Sequence, residues 1–139
     1  PRVLVVDEPT AGLDPRERIR FRNLLVELSR TRIVIFSTHI IEDISSSCNN
    51  LAVLKKGAVQ YVGTPVNMTE IAKGHVWMLS VPESEFEVLT QNMKVIHHFH
   101  DGNFIKVRIL SEDKPAENAE PVTPNLEDAY LWLQKRNIN

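Results

Sequence analysis

Cysteine is almost absent: Cys48 stands alone, so the chain cannot close an internal disulfide, which fits a reducing compartment. Glycine is scarce as well. Gly12, Gly57, Gly63, Gly74 and Gly102 are the five, and none opens a G-x-x-x-x-G-K-[ST] phosphate-binding loop. No apolar run approaches the roughly 20 residues that a helix needs to cross a bilayer. A formal net charge of −2 excludes the broad basic footprint of a nucleic-acid or anionic-lipid binder. What remains is 139 residues, 42% hydrophobic and 24% charged, enough for an ordinary globular core.

The chain is organised around Val3-Leu4-Val5-Val6-Asp7-Glu8-Pro9-Thr10-Ala11-Gly12-Leu13-Asp14-Pro15. Four aliphatic residues, Val3 to Val6, suit a parallel strand buried on both faces, although periodicity alone does not separate this from a buried helix. The run stops at two carboxylates, Asp7 and Glu8. Ligands of open α/β sheets bind beyond the carboxyl ends of the strands, so this is where chemistry belongs. Pro9 ends the ladder, and Gly12 permits a positive φ in the turn. Asp14 at the N-cap, Pro15 at the first helical position and Glu17 three residues on predict a helix start of the capping-box kind.

The helix carries Phe21, Leu24, Leu25 and Leu28 on one face, with its arginines elsewhere. Ile33-Val34-Ile35-Phe36 is a second aliphatic run, predicted to lie parallel to the first across a right-handed crossover. It ends on Ser37-Thr38-His39, at the same carboxyl edge as Asp7 and Glu8. A lone histidine after a strand is commonly structural or solvated, but an imidazole at this edge can donate to a phosphate oxygen. Ile40, Ile41, Ile44 and Cys48 form the apolar face of a following helix, with Glu42 and Asp43 complementing its dipole. A hairpin turning at Lys55-Lys56-Gly57 and a short helix around Val66 to Lys73 follow.

From Gly74 the texture changes. Val76 to Val81 reads as a strand covered on both sides, and a helix carrying Phe86 and Leu89 opens at Pro82-Glu83. A hairpin turns around Asp101-Gly102, with Ile105, Val107 and Ile109 facing inward and Lys106 and Arg108 facing water. Ser111 to Pro124, with three prolines among acidic and small polar residues, reads as a loop or linker, of a composition that also allows disorder. The last helix buries Leu126, Ala129, Tyr130 and Leu133, with Asn125 and Asp128 as its cap. His97, His98 and His100 invite a metal reading, but on a strand His97 points away from the other two, so solvated histidines are expected.

The Val3–Pro15 stretch resembles the Walker B motif and D-loop of ABC-type ATPases, the ATP-binding subunits of ABC transporters. Ser37-Thr38-His39 resembles the family's H-loop, and the Leu-Lys-Lys-Gly … Thr-Pro stretch its exit from the nucleotide-binding domain. The resemblance implies an α/β fold: residues 1–73 as the C-terminal part of a P-loop NTPase domain of the ABC type, with parallel strands. Residues 74–139 would then be a small α+β accessory domain. Asp7 would hold Mg²⁺ through water, Glu8 would act on the attacking water, and His39 would contact the γ-phosphate of ATP. Asp14 would be the D-loop aspartate as well as a helix cap, and Ser37 and Thr38 would lie on the nucleotide side. The family's Leu-Ser-Gly-Gly-Gln signature is missing along with the phosphate-binding loop, so the chain reads as a C-terminal fragment. Alone it is expected to be inactive and to self-associate through an open sheet edge.

The implied whole is an ATP-hydrolysing subunit that couples hydrolysis to transport. Its partners would be a second ATPase subunit and a transmembrane permease, at the cytoplasmic face of the membrane, with no nucleic acid. Two other readings stay open: a soluble ABC protein of translation or DNA repair, and an accessory module that senses a ligand or dimerises.

Overall fold

In the computed structural model, which describes residues 2–136, the chain divides into two compact units, Pro1–Pro65 and Val66–Asn139. The division falls just after the first residue of the short helix α3 (Pro65–Thr69). Met68 and Ala72 are both fully buried, and the 3-10 turn Glu70–Ala72 packs on the last helix, which draws this segment into the second unit.

The first unit begins with strand β1 (Val3–Asp7), helix α1 (Pro15–Leu28) and strand β2 (Ile33–Ser37). The strands pair in parallel, Val3 opposite Ile33 through Asp7 opposite Ser37. Helix α2 (Ile41–Ser47) and a hairpin of β3 (Leu51–Lys55) and β4 (Ala58–Gly63) complete it. Lys56 and Gly57 take φ of 51° and 79°, so both central residues are left-handed, as a two-residue hairpin turn of the right twist requires.

Three expectations are corrected here. The aliphatic strands are covered on one face only: Leu4, Val6, Val34 and Phe36 are half-buried, whereas Val3, Val5, Ile33 and Ile35 are exposed, Val5 by 68%. Along α1, Leu24 is exposed and Arg22 is buried, because the inward stripe runs through Arg18, Phe21, Arg22, Leu25 and Leu28. On α2, Asp43 lies in the first turn as expected, but it is fully buried where the apolar face was placed on Ile40, Ile41, Ile44 and Cys48. Among the described residues Leu25 is the one buried apolar side chain of this unit.

The second unit contains strand β5 (Val76–Pro82), helix α4 (Glu83–Asn92), strands β6 (Lys94–Asp101), β7 (Phe104–Leu110) and β8 (Glu120–Pro121), and helix α5 (Leu126–Arg136). Its antiparallel sheet has the order β6-β7-β5-β8. Leu79, Val81, Ile105, Val107 and Ile109 form one core face, against which Phe86 and Leu89 of α4 pack. Leu126, Ala129, Trp132 and Leu133 of α5 are buried as well. The 111–124 segment is a loop, as expected, but one pinned to the unit: Ala119 is buried, and the two-residue β8 adds an edge strand on which Pro121, lacking an N–H, is tolerated. One further correction arises. Arg108 does not face water, because its guanidinium forks onto the buried carboxylate of Asp128, with Nε at 3.0 Å from Oδ1 and Nη2 on Oδ2. Asn125 and Asp128 cap α5 reciprocally, each backbone N–H donating at 2.8 Å to the other's side chain.

Candidate functional site

The parallel pairing of β1 and β2 ends both strands at one edge, and four of the six residues singled out from sequence meet there. The Ser37 hydroxyl donates to the Asp7 carboxylate across the last rung of the ladder. The Glu8 backbone N–H donates to the Ser37 carbonyl at 2.8 Å, which extends the pairing by one residue. At Glu8 the chain leaves the strand with φ of 47°, a left-handed conformation that is uncommon for a residue with a side chain. The turn throws the Glu8 carboxylate towards β2, where Oε2 lies 2.9 Å from His39 Nδ1. A carboxylate can only accept, so Nδ1 carries the hydrogen and the ring's Nε2 is left for another partner.

This pair is open to solvent: the side chains of His39 and Glu8 are 78% and 35% exposed. Both are therefore reachable by a ligand arriving at the strand ends. Thr38 is engaged differently, since its hydroxyl accepts the Ile40 N–H at 2.9 Å and turns the chain into α2. Asp14 accepts the Glu17 N–H at 2.9 Å as the cap of α1, and no contact joins it to the Asp7–His39 cluster. The Glu17 carboxylate does not return the cap; it lies 3.6 Å from Arg20.

Behind the exposed pair lies a buried polar cluster. Thr10, two residues past Glu8, donates its hydroxyl to Asp43 Oδ2 at 2.5 Å, and both residues are shut off from water. Asp43 Oδ1 faces Arg22 Nε at 3.5 Å and Arg18 Nη2 at 3.8 Å. Arg22 also donates to the Glu42 carbonyl and the Ser46 hydroxyl, each at 3.1 Å, tying α1 to α2. A signal for this cluster was present: Asp43 sits between Ile40, Ile44 and Ser47 at helical spacing, on the inward stripe. Nearby, burial pushes the Cys48 thiol above its ordinary range, the Ser47 hydroxyl opposes this and the Asp43 charge adds to it.

In the second unit, His97 and His98 project to opposite sides of β6. His97 Nε2 pairs with Glu127 at 2.6 Å, and the His98 ring lies against Phe86. Among the described residues no group of three or more His, Cys, Asp or Glu side chains converges as a metal site would require. No helix among them is long and apolar enough to cross a membrane.

No protein-family model matches the chain. Curated proteins do. An uncharacterized ABC transporter ATP-binding protein of Bacillus subtilis, YxlF, is 25% identical over 145 residues, covering 94% of this chain and 49% of its own length. An uncharacterized ABC transporter ATP-binding protein of Synechocystis, sll0415, is 28% identical over 150 residues, 99% of this chain and 42% of its own. The energy-coupling factor transporter ATP-binding protein EcfA2 of Lactiplantibacillus plantarum is 38% identical over 80 residues, 56% of this chain and 26% of its own. The chain thus spans about half the length, or less, of these relatives.

Proposed function

Taking the chain as part of an ABC-type ATP-binding protein, we propose that the Asp7–His39 edge is the hydrolytic end of an ATP site in a transporter's ATPase subunit. The observation that supports this most directly is the 2.9 Å contact of Glu8 with His39 beside an exposed Asp7, at the carboxyl ends of two parallel strands. The donors there, Asp7 carboxylate and Ser37 hydroxyl, are hard oxygens of the type Mg²⁺ prefers. Ser37 engages one oxygen of Asp7, and the other would remain to help hold the cation. Bound there, the cation would neutralise charge between the terminal phosphates of ATP.

Each residue of the chain then has a task. Glu8 accepts the proton of the attacking water or orients it. His39, its Nδ1 held by Glu8, directs Nε2 at the γ-phosphate and stabilises charge as it develops. Ser37 fixes Asp7, Thr38 shapes the turn that carries His39, and Asp14 lies near the facing subunit of an ATP-bound dimer. The exposed sheet face of Val3, Val5, Ile33 and Ile35 is what the remainder of a longer ATPase domain would cover. In the complete protein a second ATPase subunit and a transmembrane permease at the cytoplasmic face complete the machine.

The test is paired nucleotide affinity and single-turnover rate in the full-length protein. Glu8→Gln should keep Mg-ATP affinity and lose about 10²–10⁴-fold in rate, the usual cost of a missing general base. Asp7→Asn should weaken Mg-ATP binding itself, and His39→Ala should bind normally and turn over slowly. Wild-type turnover by Glu8→Gln would make Glu8 a surface acid beside the site and overturn the reading.

A further inference from the structure

Segments 7–10 and 37–43 are joined twice, once in water and once out of it. The outer link is Glu8 to His39, and the inner one is Thr10 to Asp43. An exposed imidazole–carboxylate pair exchanges its partners with solvent and cannot hold its own geometry. The inner link has no such alternative. Thr10 is 2% and Asp43 0% exposed, so their hydrogen bond has no water to replace it. Each end is rigidly connected to the outer pair. The Ala11 N–H donates to the Glu8 carbonyl and the Leu13 N–H to that of Thr10, closing a tight turn around residues 8–13. On the other side the Asp43 N–H donates to the Ile40 carbonyl, and the Ile40 N–H to the Thr38 hydroxyl, so Asp43 and His39 move together.

Asp43 is itself immobilised from behind. Arg22 approaches its Oδ1 while donating to two groups on α2, and Arg18 lies just beyond. Oδ1 accepts no close hydrogen bond from any described residue. Its charge is therefore met by the two guanidinium groups at longer range, and its one short bond is the one Oδ2 accepts from Thr10.

We propose that Thr10 and Asp43 are positioning residues that hold the Glu8 carboxylate in register with the His39 ring for attack on a terminal phosphate. The proposal rests on the ATPase reading above. Neither residue touches the reacting atoms. Their contribution is to limit the drift of two exposed groups that must act on one phosphate, where displacement by about 1 Å can cost roughly 10²-fold in rate. A cluster that merely stabilised the fold would instead lower rate and affinity together, through loss of folded protein.

The experiment uses the full-length ATPase with Mg-ATP as the probe, and reads nucleotide Kd, single-turnover rate and Tm. Thr10→Val keeps the shape and removes the hydroxyl, whereas Thr10→Ser keeps the hydroxyl. Substitution of Asp43 is avoided because it would strand Arg22 in the interior. Thr10→Val should slow single turnover by about tenfold or more, within the range a misplaced group costs, with Kd changed less than about twofold. Thr10→Ser should restore the rate. In a Glu8→Gln background Thr10→Val should add no further loss, since the group it positions is already gone. Parental rate in Thr10→Val, parallel loss of affinity and rate, failure of serine to rescue, or full additivity with Glu8→Gln would each overturn the proposal. The two readings fail separately. A fast Glu8→Gln sinks the ATPase assignment, whereas a slow Glu8→Gln beside a fast Thr10→Val sinks only the positioning role.

Discussion

Replacing Arg108 by methionine should unfold the second unit at a much lower temperature. Methionine preserves most of the aliphatic stem but removes the fork on Asp128 and the Nη2 contact to the Thr123 carbonyl at 3.3 Å. Asp128 is then a carboxylate with no exposed surface, left with the Asn125 N–H as its donor. Breaking a buried ion pair from one side costs about 3–5 kcal/mol. The Arg108 side chain is 19% exposed, so water can reach the vacated space and the lower end, about 3 kcal/mol, is expected. For a unit of this size that is a fall in Tm of about 12–24 °C. Both tryptophans, Trp77 and Trp132, lie in this unit, so tryptophan fluorescence follows its melting without interference from the first. Asp128→Asn keeps a cap acceptor and should cost less, because the Arg108 guanidinium, part of which already meets water, can turn outward. The double variant should then lose less than the sum of the singles. A fall of only a degree or two for Arg108→Met, or strict additivity in the cycle, would show that the pair is solvated and the reasoning wrong.

Three further outcomes are expected. With its titration pushed up by burial, Cys48 stays a protonated thiol at neutral pH, so alkylation by iodoacetamide should be slower than for a free thiol and accelerate only as pH rises past the ordinary range; modification at the free-thiol rate at pH 7 would contradict this. The His97–Glu127 pair is exposed, and His97→Gln should change stability by no more than the scale of a surface ion pair, about 0–1 kcal/mol, with a correspondingly small shift in Tm. Chelation should likewise leave Tm unchanged, and a drop restored by Zn²⁺ would reveal a metal site that the β6 histidines help to form.

The elements that came out of the sequence most clearly were those fixed by local chemistry. Asp14-Pro15 opens α1, Lys56-Gly57 turns the β3–β4 hairpin, and Asn125 with Asp128 caps α5, because each depends on residues within a few positions of one another. Two aliphatic runs and their polar ends were enough to bring Asp7, Glu8, Ser37 and His39 to one edge. Residues whose environment is set by distant partners are the harder ones to place from sequence. Arg22 looks like a surface charge until α1 and α2 are packed, when it meets Asp43 inside. Arg108 alternates correctly to the outer face of β7, but α5 returns to cover that face with Asp128. The 111–124 segment has the composition of a linker, and it is held by edge pairing of β8 with β5 that no local pattern announces. The exposed face of β1 and β2 shows the converse, since an aliphatic run records what a strand can bury and not what covers it.

The unequal sharing of buried apolar side chains between the two units has a calorimetric consequence. Heat capacity rises when apolar surface meets water on unfolding and falls slightly when polar surface does. Nearly all of the buried apolar residues lie in Val66–Asn139, whereas the first unit keeps Leu25 and a cluster of hydrogen-bonded charges inside. A heating trace of this chain would therefore be dominated by the half that lacks the Asp7–His39 edge. The edge could loosen with little thermal signal of its own, so a high transition temperature would report the state of Val66–Asn139 and be nearly silent about the half that holds Asp7 and His39.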